Sequence, residues 1–388
     1  MPIINRFADL QADSVRWRHD FHRHPELMYD VHRTAATVAD RLREFGIDEV
    51  TTGIGRTGVV GVIKGKKAKS GKVIALRADM DALPIHEATG KAYASEVDGK
   101  MHACGHDGHT TMLLNAARYL AETRNFDGTV VVVFQPAEEG GGGGKAMIED
   151  GLLDRWGIQE VYGMHNMPGI PVGKFGIRNG AMLAATDEFT IDITGYGSHA
   201  AKPHESVDPI ATGVAIVQAL QTIVSRNVDP VDAAVVSVTK FHGGDAYNVI
   251  APTAQVAGTV RTLSDANRDL AERRLREIVS GVAAAYGASA VVDYDRNYPI
   301  TKNHPEQAAF AAGIAAQVVD ATNVDTDTPP ILGGEDFSYL LNARPGAFIF
   351  VGQGDTAGLH NPAYDFNDEI IPLGSSYWAR LVETAMPA

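Results

Sequence analysis

Short, uninterrupted apolar runs alternate with amphipathic helical patterns in the first half of the chain. Three runs, at 73–79, 129–135 and 161–165, have the character of buried strands. Between the first two, residues 110–122 carry leucine and alanine at helical spacing. This alternation predicts a mostly parallel sheet with helices on both faces. Polar or reactive residues follow each predicted strand, and in open α/β sheets the functional site lies outside the carboxyl ends of the strands.

A second region shows a different pattern of elements. Its predicted strands and helices, in chain order, are β at 189–193, α at 209–224, β at 234–241, β at 254–262, α at 265–286 and β at 291–294. This order is that of the split-βαβ, ferredoxin-like arrangement. After residue 300 the chain returns to mixed α/β character. We therefore expect a catalytic domain formed by residues 1–185 and 299–388, with a smaller α+β domain inserted at 186–298.

The charge and cysteine content narrow the classes of function. The net charge of −14 opposes binding to polyanions, so we expect neither nucleic acid nor a membrane as a partner. The single cysteine excludes an intrachain disulfide and suits a reducing compartment. Neither a signal-peptide pattern nor an apolar run of about 20 residues is evident. We expect a cytoplasmic protein.

The candidate chemistry begins at the single cysteine, Cys104, which lies in a histidine-rich run at 102–109. Acid or imidazole side chains also occur at four other predicted strand-to-loop boundaries, in segments 79–84, 135–140, 164–168 and 359–364. Thiolate, imidazole and carboxylate are the ligands of zinc and similar ions. Taken singly, each segment is more typical of a surface or a helix cap. The five together predict a metal site.

Two local patterns suggest roles within such a site. Cys104 and His106 precede a predicted helix, whose N-terminus would stabilise a thiolate. Glu138 and Glu139 are adjacent, so both can reach one site only at a turn, which Gly140 would supply. One of them could bind metal while the other acts as general base. A thiol hydrolase with Cys104 as the nucleophile and a non-catalytic metal- or carboxylate-binding protein are alternative interpretations.

The chain resembles the aminoacylase/carboxypeptidase family of two-metal hydrolases over almost its whole length. It is most similar to the hippurate hydrolase or N-acyl-amino-acid amidohydrolase branch, which includes plant auxin-conjugate hydrolases. The matching segments are HPEL at 24–27, RADMDALP at 77–84, MHACGHD at 101–107, QPAEE at 135–139, GEDF at 334–337 and HNP at 360–362. The resemblance implies two divalent metal ions per subunit, with zinc foremost and manganese, cobalt or nickel as alternatives.

The resemblance also implies roles for individual residues. The implied metal ligands are Cys104, which bridges the two ions, with His106, Glu139, His165 and His360. Glu138 is implied as the general base and Asp81 as a carboxylate that orients a ligand. His102 and His109 are expected to support the site or to pack beside it. Asp79 stands where many members have a metal-binding histidine and Cys104 where many have a bridging aspartate, and a soft thiolate changes which ion is preferred.

Three residues of the inserted domain match positions that contact substrate in the family. His199, in GSHAA at 197–201, resembles a lid histidine that polarises the scissile carbonyl. Asn248 resembles a substrate-binding asparagine, and Arg261 resembles a residue that holds the substrate carboxylate, a task that suits its planar fork. From spacing alone, ordinary loop polarity explains all three. Because lid residues of dimeric relatives reach the neighbouring subunit's site, we expect a lid and dimerisation domain and a homodimer or homotetramer.

The function that the resemblance implies is that of a metal-dependent amidohydrolase. It would cleave the amide bond of small N-acyl amino acids, such as hippurate-type or N-acetyl conjugates, by metal-activated water with Glu138 as general base. A dipeptidase or carboxypeptidase with the same chemistry is the alternative.

Overall fold

The computed structural model describes residues 3–388. Its helices are α1 (Asn5–Arg23), α2 (His32–Glu44), α3 (His106–Thr123), α4 (Gly143–Glu149), α5 (Leu152–Arg155), α6 (Pro209–Thr222), α7 (Asp265–Ala285), α8 (Pro305–Val319), α9 (Phe337–Ala343) and α10 (Ile371–Ala385). Short helical turns occur at Pro203–Glu205, Ile223–Asn227, Ala321–Asn323 and Asp368–Ile370. Within residues 3–388, none of the helices combines the length and the apolar character needed to cross a membrane.

The strands lie mostly within one of two compact units of the chain, and two of them cross the boundaries between the units. They are β1 (Glu49–Ile54), β2 (Gly58–Lys64), β3 (Val73–Asp79), β4 (Thr129–Gln135), β5 (Glu160–Pro168), β6 (Phe175–Gly176), β7 (Gly180–Leu183), β8 (Ala185–Thr194), β9 (Ser198–His199), β10 (Ala234–Gly243), β11 (Val249–Ile250), β12 (Thr253–Thr262), β13 (Ser289–Arg296), β14 (Thr301–Asn303), β15 (Val324–Asp325) and β16 (Gly346–Gly354). The first unit contains the described residues up to Met182 together with Lys302–Pro329 and Asp336–Ala388. The second contains Leu183–Thr301 and Pro330–Glu335, so β7 and β14 are the strands that cross the boundaries.

The first unit is built on an eight-stranded sheet in the order β1-β2-β4-β3-β5-β16-β6-β15. The four central strands, β4, β3, β5 and β16, are parallel. Their residues form nearly continuous apolar runs because both faces of a parallel sheet are covered. Asp79 at the end of β3 pairs in register with Gln135 at the end of β4, so side chains that follow these strands emerge at the same edge.

Helices cover both faces of this sheet. On one face, Leu76, Val132 and Met164 pack in a core with Met112 of α3 and Trp378 of α10. On the other face, α4 packs against β4 and α9 against β5. The predicted fold class, a mostly parallel sheet with helices on both faces, is therefore confirmed.

The second unit has a four-stranded antiparallel sheet in the order β10-β12-β8-β13. Helices α6 and α7 pack on one face, against a core that includes Ile191, Val256 and Leu275. Its chain order, β8-α6-β10-β12-α7-β13, confirms the predicted ferredoxin-like pattern. The other face carries the alternate side chains of the strands, among them that of Arg261.

Candidate metal centre

The side chains predicted as metal ligands converge in the first unit, where the parallel strands end. Asp81 follows β3, a turn at 138–141 follows β4, His165 lies in β5, and Cys104 lies two residues before the start of α3. The chemically reactive side chains that lie together are those of Cys104, His106, Glu138, Glu139, His165 and His360. All are buried or half-buried except that of His360, which is exposed.

Cys104 belongs to two groups of potential ligand atoms. The donor atoms of Cys104, His106 and His165 lie within 4.8 Å of one another, and so do those of Cys104, Glu139 and His360. Sγ of Cys104 is 3.4 Å from Nε2 of His165. Nε2 of His360 is 3.3 Å from Oε1 of Glu139. Two trios that share one thiol suit a pair of cations with Cys104 as the common ligand.

Two polar atoms in this cluster are buried without a well-formed hydrogen bond among residues 3–388: Nε2 of His106, and Oε1 of Glu139, which has the 3.3 Å contact with His360 described above. A buried polar group left unsatisfied costs about 1–3 kcal/mol. Nε2 of His106 also lies 3.7 Å from Oδ2 of Asp79 and 4.0 Å from a carboxylate oxygen of Glu138. Bound divalent cations would satisfy both atoms, so the donor set fits the implied metal pair.

The electrostatics of the cluster also favour a cation. Burial alone would lower the pKa of His106, but nearby carboxylates, above all Asp79 and Asp81, raise it to about 10. Burial and the charges of Glu139 and Glu138 raise the pKa of the Cys104 thiol well above its usual range. An excess of negative charge around the buried donor atoms of Cys104 and His106 contributes to both pKa shifts. Cation binding would neutralise that charge and stabilise the thiolate.

Asp81 contacts two parts of the site. Its Oδ1 accepts a hydrogen bond from the backbone nitrogen of Glu138 at 2.9 Å, and its Oδ2 accepts one from that of Glu139 at 3.1 Å. Nδ1 of His106 donates to the backbone oxygen of Asp81 at 2.8 Å. Because Nδ1 is occupied, Nε2 of His106 is the nitrogen available to a metal.

The turn at 138–141 is anchored on both sides by Asp336. Before the turn, Nε2 of Gln135 donates to Oδ1 of Asp336 at 2.8 Å, and after it the backbone nitrogen of Gly144 donates to Oδ2 at 2.8 Å. Arg77 donates to Asp336 at 2.8 Å as well. These buried, charge-assisted bonds fix the backbone that carries Glu138 and Glu139.

Left-handed backbone conformations occur beside the cluster. Gly105, at φ +96°, directly precedes α3, and a Cβ there would lie 2.3 Å from Oδ1 of Asn166. Only glycine is therefore tolerated at this position. Ala137 at φ +54° and His360 at φ +62° adopt the same region without being glycine, at a cost of about 1–3 kcal/mol each. Such strain is typical of functional sites.

A buried hydrogen-bonded network behind the cluster was not predicted from the sequence. It connects Asp79 through His109 to Asn166, and from there to Gln353 and Tyr364. The position of His109, one helical turn after His106, is the sequence signal that places this side chain beside the cluster. Asp79, Asn166 and Tyr364 lie in segments that the sequence singles out, but nothing in those segments predicts their hydrogen bonds, and Gln353 belongs to no such segment.

The three predicted substrate-binding residues lie in the second unit, and the structure brings only two of them together. β9 pairs with β11, with His199 opposite Val249, and the backbone nitrogen of Ala200 donates to the backbone oxygen of Asn248 at 3.0 Å. The side chains of His199 and Asn248 are exposed. Arg261 lies at the far end of β12 from this pair, about 26 Å along the strand at the usual rise per residue.

Comparison with known proteins identifies the family. The sequence model that describes peptidase family M20/M25/M40 matches residues 75–384 of this chain. The chain therefore belongs to this family and is a hydrolase.

Individual relatives and a solved structure cover nearly the whole chain. Hippurate hydrolase of Campylobacter jejuni is 43% identical over 98% of both chains. Thermostable carboxypeptidase 2 of Saccharolobus solfataricus is 38% identical over 96% of this chain and 95% of its own length. The crystal structure of the Bacillus subtilis YXEP protein, described as a dinuclear metal-binding peptidase of the M20 family, matches with a TM-score of 0.86 and 35% identity, covering 98% of this chain and 99% of that one.

Proposed function

We propose that the protein is a metal-dependent amidohydrolase that cleaves N-acyl amino acids into a carboxylic acid and an amino acid. The observation that carries this proposal is the pair of ligand trios that share Cys104, with Glu138 beside them. The full-length similarity to a hippurate hydrolase supports the substrate class, since hippurate is an N-acyl amino acid.

The proposed ligands are Cys104, His106, Glu139, His165 and His360, and the proposed ions are a pair of divalent metals, zinc in the native enzyme. Bound there, the ions would supply Lewis acidity toward the scissile carbonyl and toward water. A thiolate combined with imidazoles and a carboxylate suits zinc, and also cobalt, nickel or manganese to different degrees. The similarity to a dinuclear metal-binding peptidase supports two ions rather than one.

Glu138 is the proposed general base. Its carboxylate is buried, Oε2 lies 4.0 Å from Nε2 of His106, and its backbone is fixed by Asp81. From this position the carboxylate can accept a proton from the attacking water and return it to the departing nitrogen. Asp81 would act by orienting His106 and the glutamate turn.

We propose that His199 stabilises the oxyanion, that Asn248 binds substrate and that Arg261 recognises its free carboxylate. An N-acyl amino acid is too small to span the length of β12 that separates Arg261 from the other two. One copy therefore cannot direct all three side chains at one substrate. This geometry supports a homodimer or homotetramer, in which the second unit serves as a lid and a dimerisation domain.

Exposed apolar side chains near His199 support the same assembly. Tyr196, Tyr247 and Val249 are 67%, 109% and 52% exposed in a single copy. Exposed apolar clusters of this kind mark contact surfaces. Light scattering on the purified protein should give the mass of a dimer or tetramer, and a mass of 41.4 kDa, that of one chain, would contradict this part of the proposal.

A cytoplasmic location is also proposed. The proposed ligand Cys104 must stay reduced, and reducing compartments maintain free thiols. Cell fractionation with antibody detection tests this location directly.

A carboxypeptidase is the second candidate, favoured by the 38% identity to a thermostable carboxypeptidase. It would use the same residues on a peptide instead of an acyl conjugate. A thiol hydrolase is disfavoured because the buried thiol of Cys104 lies among the donor atoms of both trios, and the neighbouring carboxylates of Glu138 and Glu139 oppose a thiolate unless a cation is bound, whereas a thiol nucleophile needs a lowered pKa.

One experiment separates these candidates. The protein is stripped of metal, reconstituted with Zn²⁺, Mn²⁺, Co²⁺ or Ni²⁺, and assayed on benzoyl-, acetyl- and indole-acyl amino acids beside dipeptides. We expect activity that requires metal and is greatest on acyl amino acids. Preference for dipeptides would establish the dipeptidase or carboxypeptidase alternative, and full activity of the stripped protein that is lost on alkylation of Cys104 would establish a thiol hydrolase.

A further inference from the structure

His109 lies against two of the proposed metal ligands, His106 and His165, but is not one of the proposed ligands. It follows His106 by one turn of α3 and is buried. Its ring centroid is 5.4 Å from that of His106 and 4.5 Å from that of His165. A side chain packed against both imidazoles, which are themselves 6.0 Å apart, constrains the orientation of both.

Both ring nitrogens of His109 make short polar contacts with the ends of parallel strands. Nδ1 donates to Oδ1 of Asp79, at the end of β3, over 2.6 Å. Nε2 of His109 lies 2.7 Å from Oδ1 of Asn166, in β5. The backbone nitrogen of Asn166 lies 3.1 Å from Nε2 of His109. His109 therefore connects the end of β3 to β5 directly beside the proposed metal site.

The network is braced on each side. Arg77 donates to Oδ2 of Asp79 over 2.6 Å, so both oxygens of this carboxylate are engaged. Nδ2 of Asn166 donates to Oε1 of Gln353 over 2.6 Å and to the hydroxyl of Tyr364 over 2.8 Å. Tyr364 lies four residues after the proposed ligand His360, so the network also contacts the segment that carries that residue.

We propose that His109 is a positioning residue that holds His106 and His165 in the arrangement that binds metal with Cys104. This inference rests on the proposed function, because it assumes that the trio is a metal site. Contacts that orient metal-ligating histidines commonly affect metal affinity by about 10–100-fold. A residue that only filled space would affect folding stability and leave metal affinity unchanged.

The test is metal binding by the full-length protein carrying His109→Gln. Glutamine can hydrogen-bond to Asp79 or to Asn166 but cannot bridge them as a rigid ring does. The matched control is Asn115→Ala on the same helix, which removes a buried hydrogen bond of 2.6 Å to Ser14 outside the network. Apo proteins are titrated with Co²⁺ alone, with absorption as the readout, and with Zn²⁺ in competition with a chelating dye. Thermal unfolding is measured in parallel.

We expect His109→Gln to bind both ions about 10–100-fold more weakly and to shift the Co²⁺ bands, with Asn115→Ala like the wild type in both respects. Wild-type affinity and an unchanged Co²⁺ spectrum in His109→Gln would overturn the proposal, whatever its thermal stability. If His109→Gln does not fold, Tyr364→Phe decides. It removes one hydroxyl at the edge of the network and should weaken Co²⁺ binding in the same direction by a smaller factor, whereas unchanged binding would overturn the proposal.

The two levels of proposal fail in different ways. A wild-type protein that binds neither ion refutes the metal site and with it the proposed function. A wild-type protein that binds metal and hydrolyses acyl amino acids, while both variants bind metal normally, refutes the role of His109 alone.

Discussion

The proposed metal ligands of the first unit and the substrate-binding residues proposed for the second differ in how firmly the fold holds them. Cys104, His106 and His165 are buried, and each imidazole makes a hydrogen bond that fixes its ring. His199 is exposed, and its ring is held by a bond from the backbone nitrogen of Ala201 at 3.1 Å. The comparison indicates that the proposed ligands are preorganised, whereas we expect the proposed recognition residues to become effective only in contact with substrate or another copy.

The largest expected effect is in the first unit, at the proposed general base Glu138. Glu138→Gln should lower kcat by about 10²–10⁴-fold, because an amide cannot accept the proton of the attacking water. Metal content, measured by atomic emission, should stay at the wild-type value. Glu149→Gln, on the exposed surface of α4, serves as the control. Full turnover by the metal-loaded Glu138→Gln protein would exclude Glu138 as the base.

The next largest effect is expected in the second unit, at the exposed residue His199. His199→Ala should lower kcat by about 10²–10³-fold through loss of one oxyanion donor, with metal affinity unchanged. His204→Ala, a neighbouring exposed histidine, should behave as the wild type.

Mixing the His199→Ala and Glu138→Gln proteins under conditions of subunit exchange sharpens this comparison. If His199 acts across a subunit interface, mixed oligomers contain one intact site and activity returns. No recovery in demonstrated mixed oligomers would place His199 and Glu138 of the same copy in one site.

A smaller effect is expected at Asp81, which contacts both the turn at 138–141 and the proposed ligand His106. Asp81→Asn keeps the shape of the side chain but replaces one of its two hydrogen-bond-accepting oxygens by an NH₂ group. That donor group then faces a backbone N–H, which is also a donor. Metal affinity should fall by about 10–100-fold, as read by titration of the apo protein. Asp150→Asn is the matched control, since that carboxylate also holds a backbone nitrogen, that of Gly55 at 2.8 Å. Equal affinities of the two variants would remove Asp81 from the orienting role.

The smallest effect is expected at Arg261. Arg261→Lys keeps the charge but loses the planar fork, so KM for an acyl amino acid should rise about tenfold, the equivalent of about one charge-assisted hydrogen bond. Arg273→Lys on α7 is the control. An unchanged KM for Arg261→Lys, or a fall in kcat without a change in KM, would argue against carboxylate recognition.

The sequence predicted the central strands well and the first turn of α3 poorly. The bounds of β3 and β4 agree with the apolar runs at 73–79 and 129–135, because strands buried on both faces leave an uninterrupted signal. The helix was predicted to start at 110 but begins at His106. Its first turn is polar and is buried by the site, so apolar periodicity does not mark it.

The candidate site was predictable as a set of residue types but not as a set of contacts. The structure brings the predicted ligand side chains together, while their role as ligands stays a prediction. No local pattern encodes the bonds of Asp79 and Asn166 to His109, or the left-handed backbone of Ala137. Both depend on segments that meet only after folding.

Anomalous scattering from crystals grown with Zn²⁺ tests the central claim most directly. We predict two zinc ions in each chain, one beside His106 and His165, the other beside Glu139 and His360, with Sγ of Cys104 in contact with both. An empty cluster, or zinc bound without Cys104, would contradict the claim that this thiol is the shared ligand of a two-metal hydrolase.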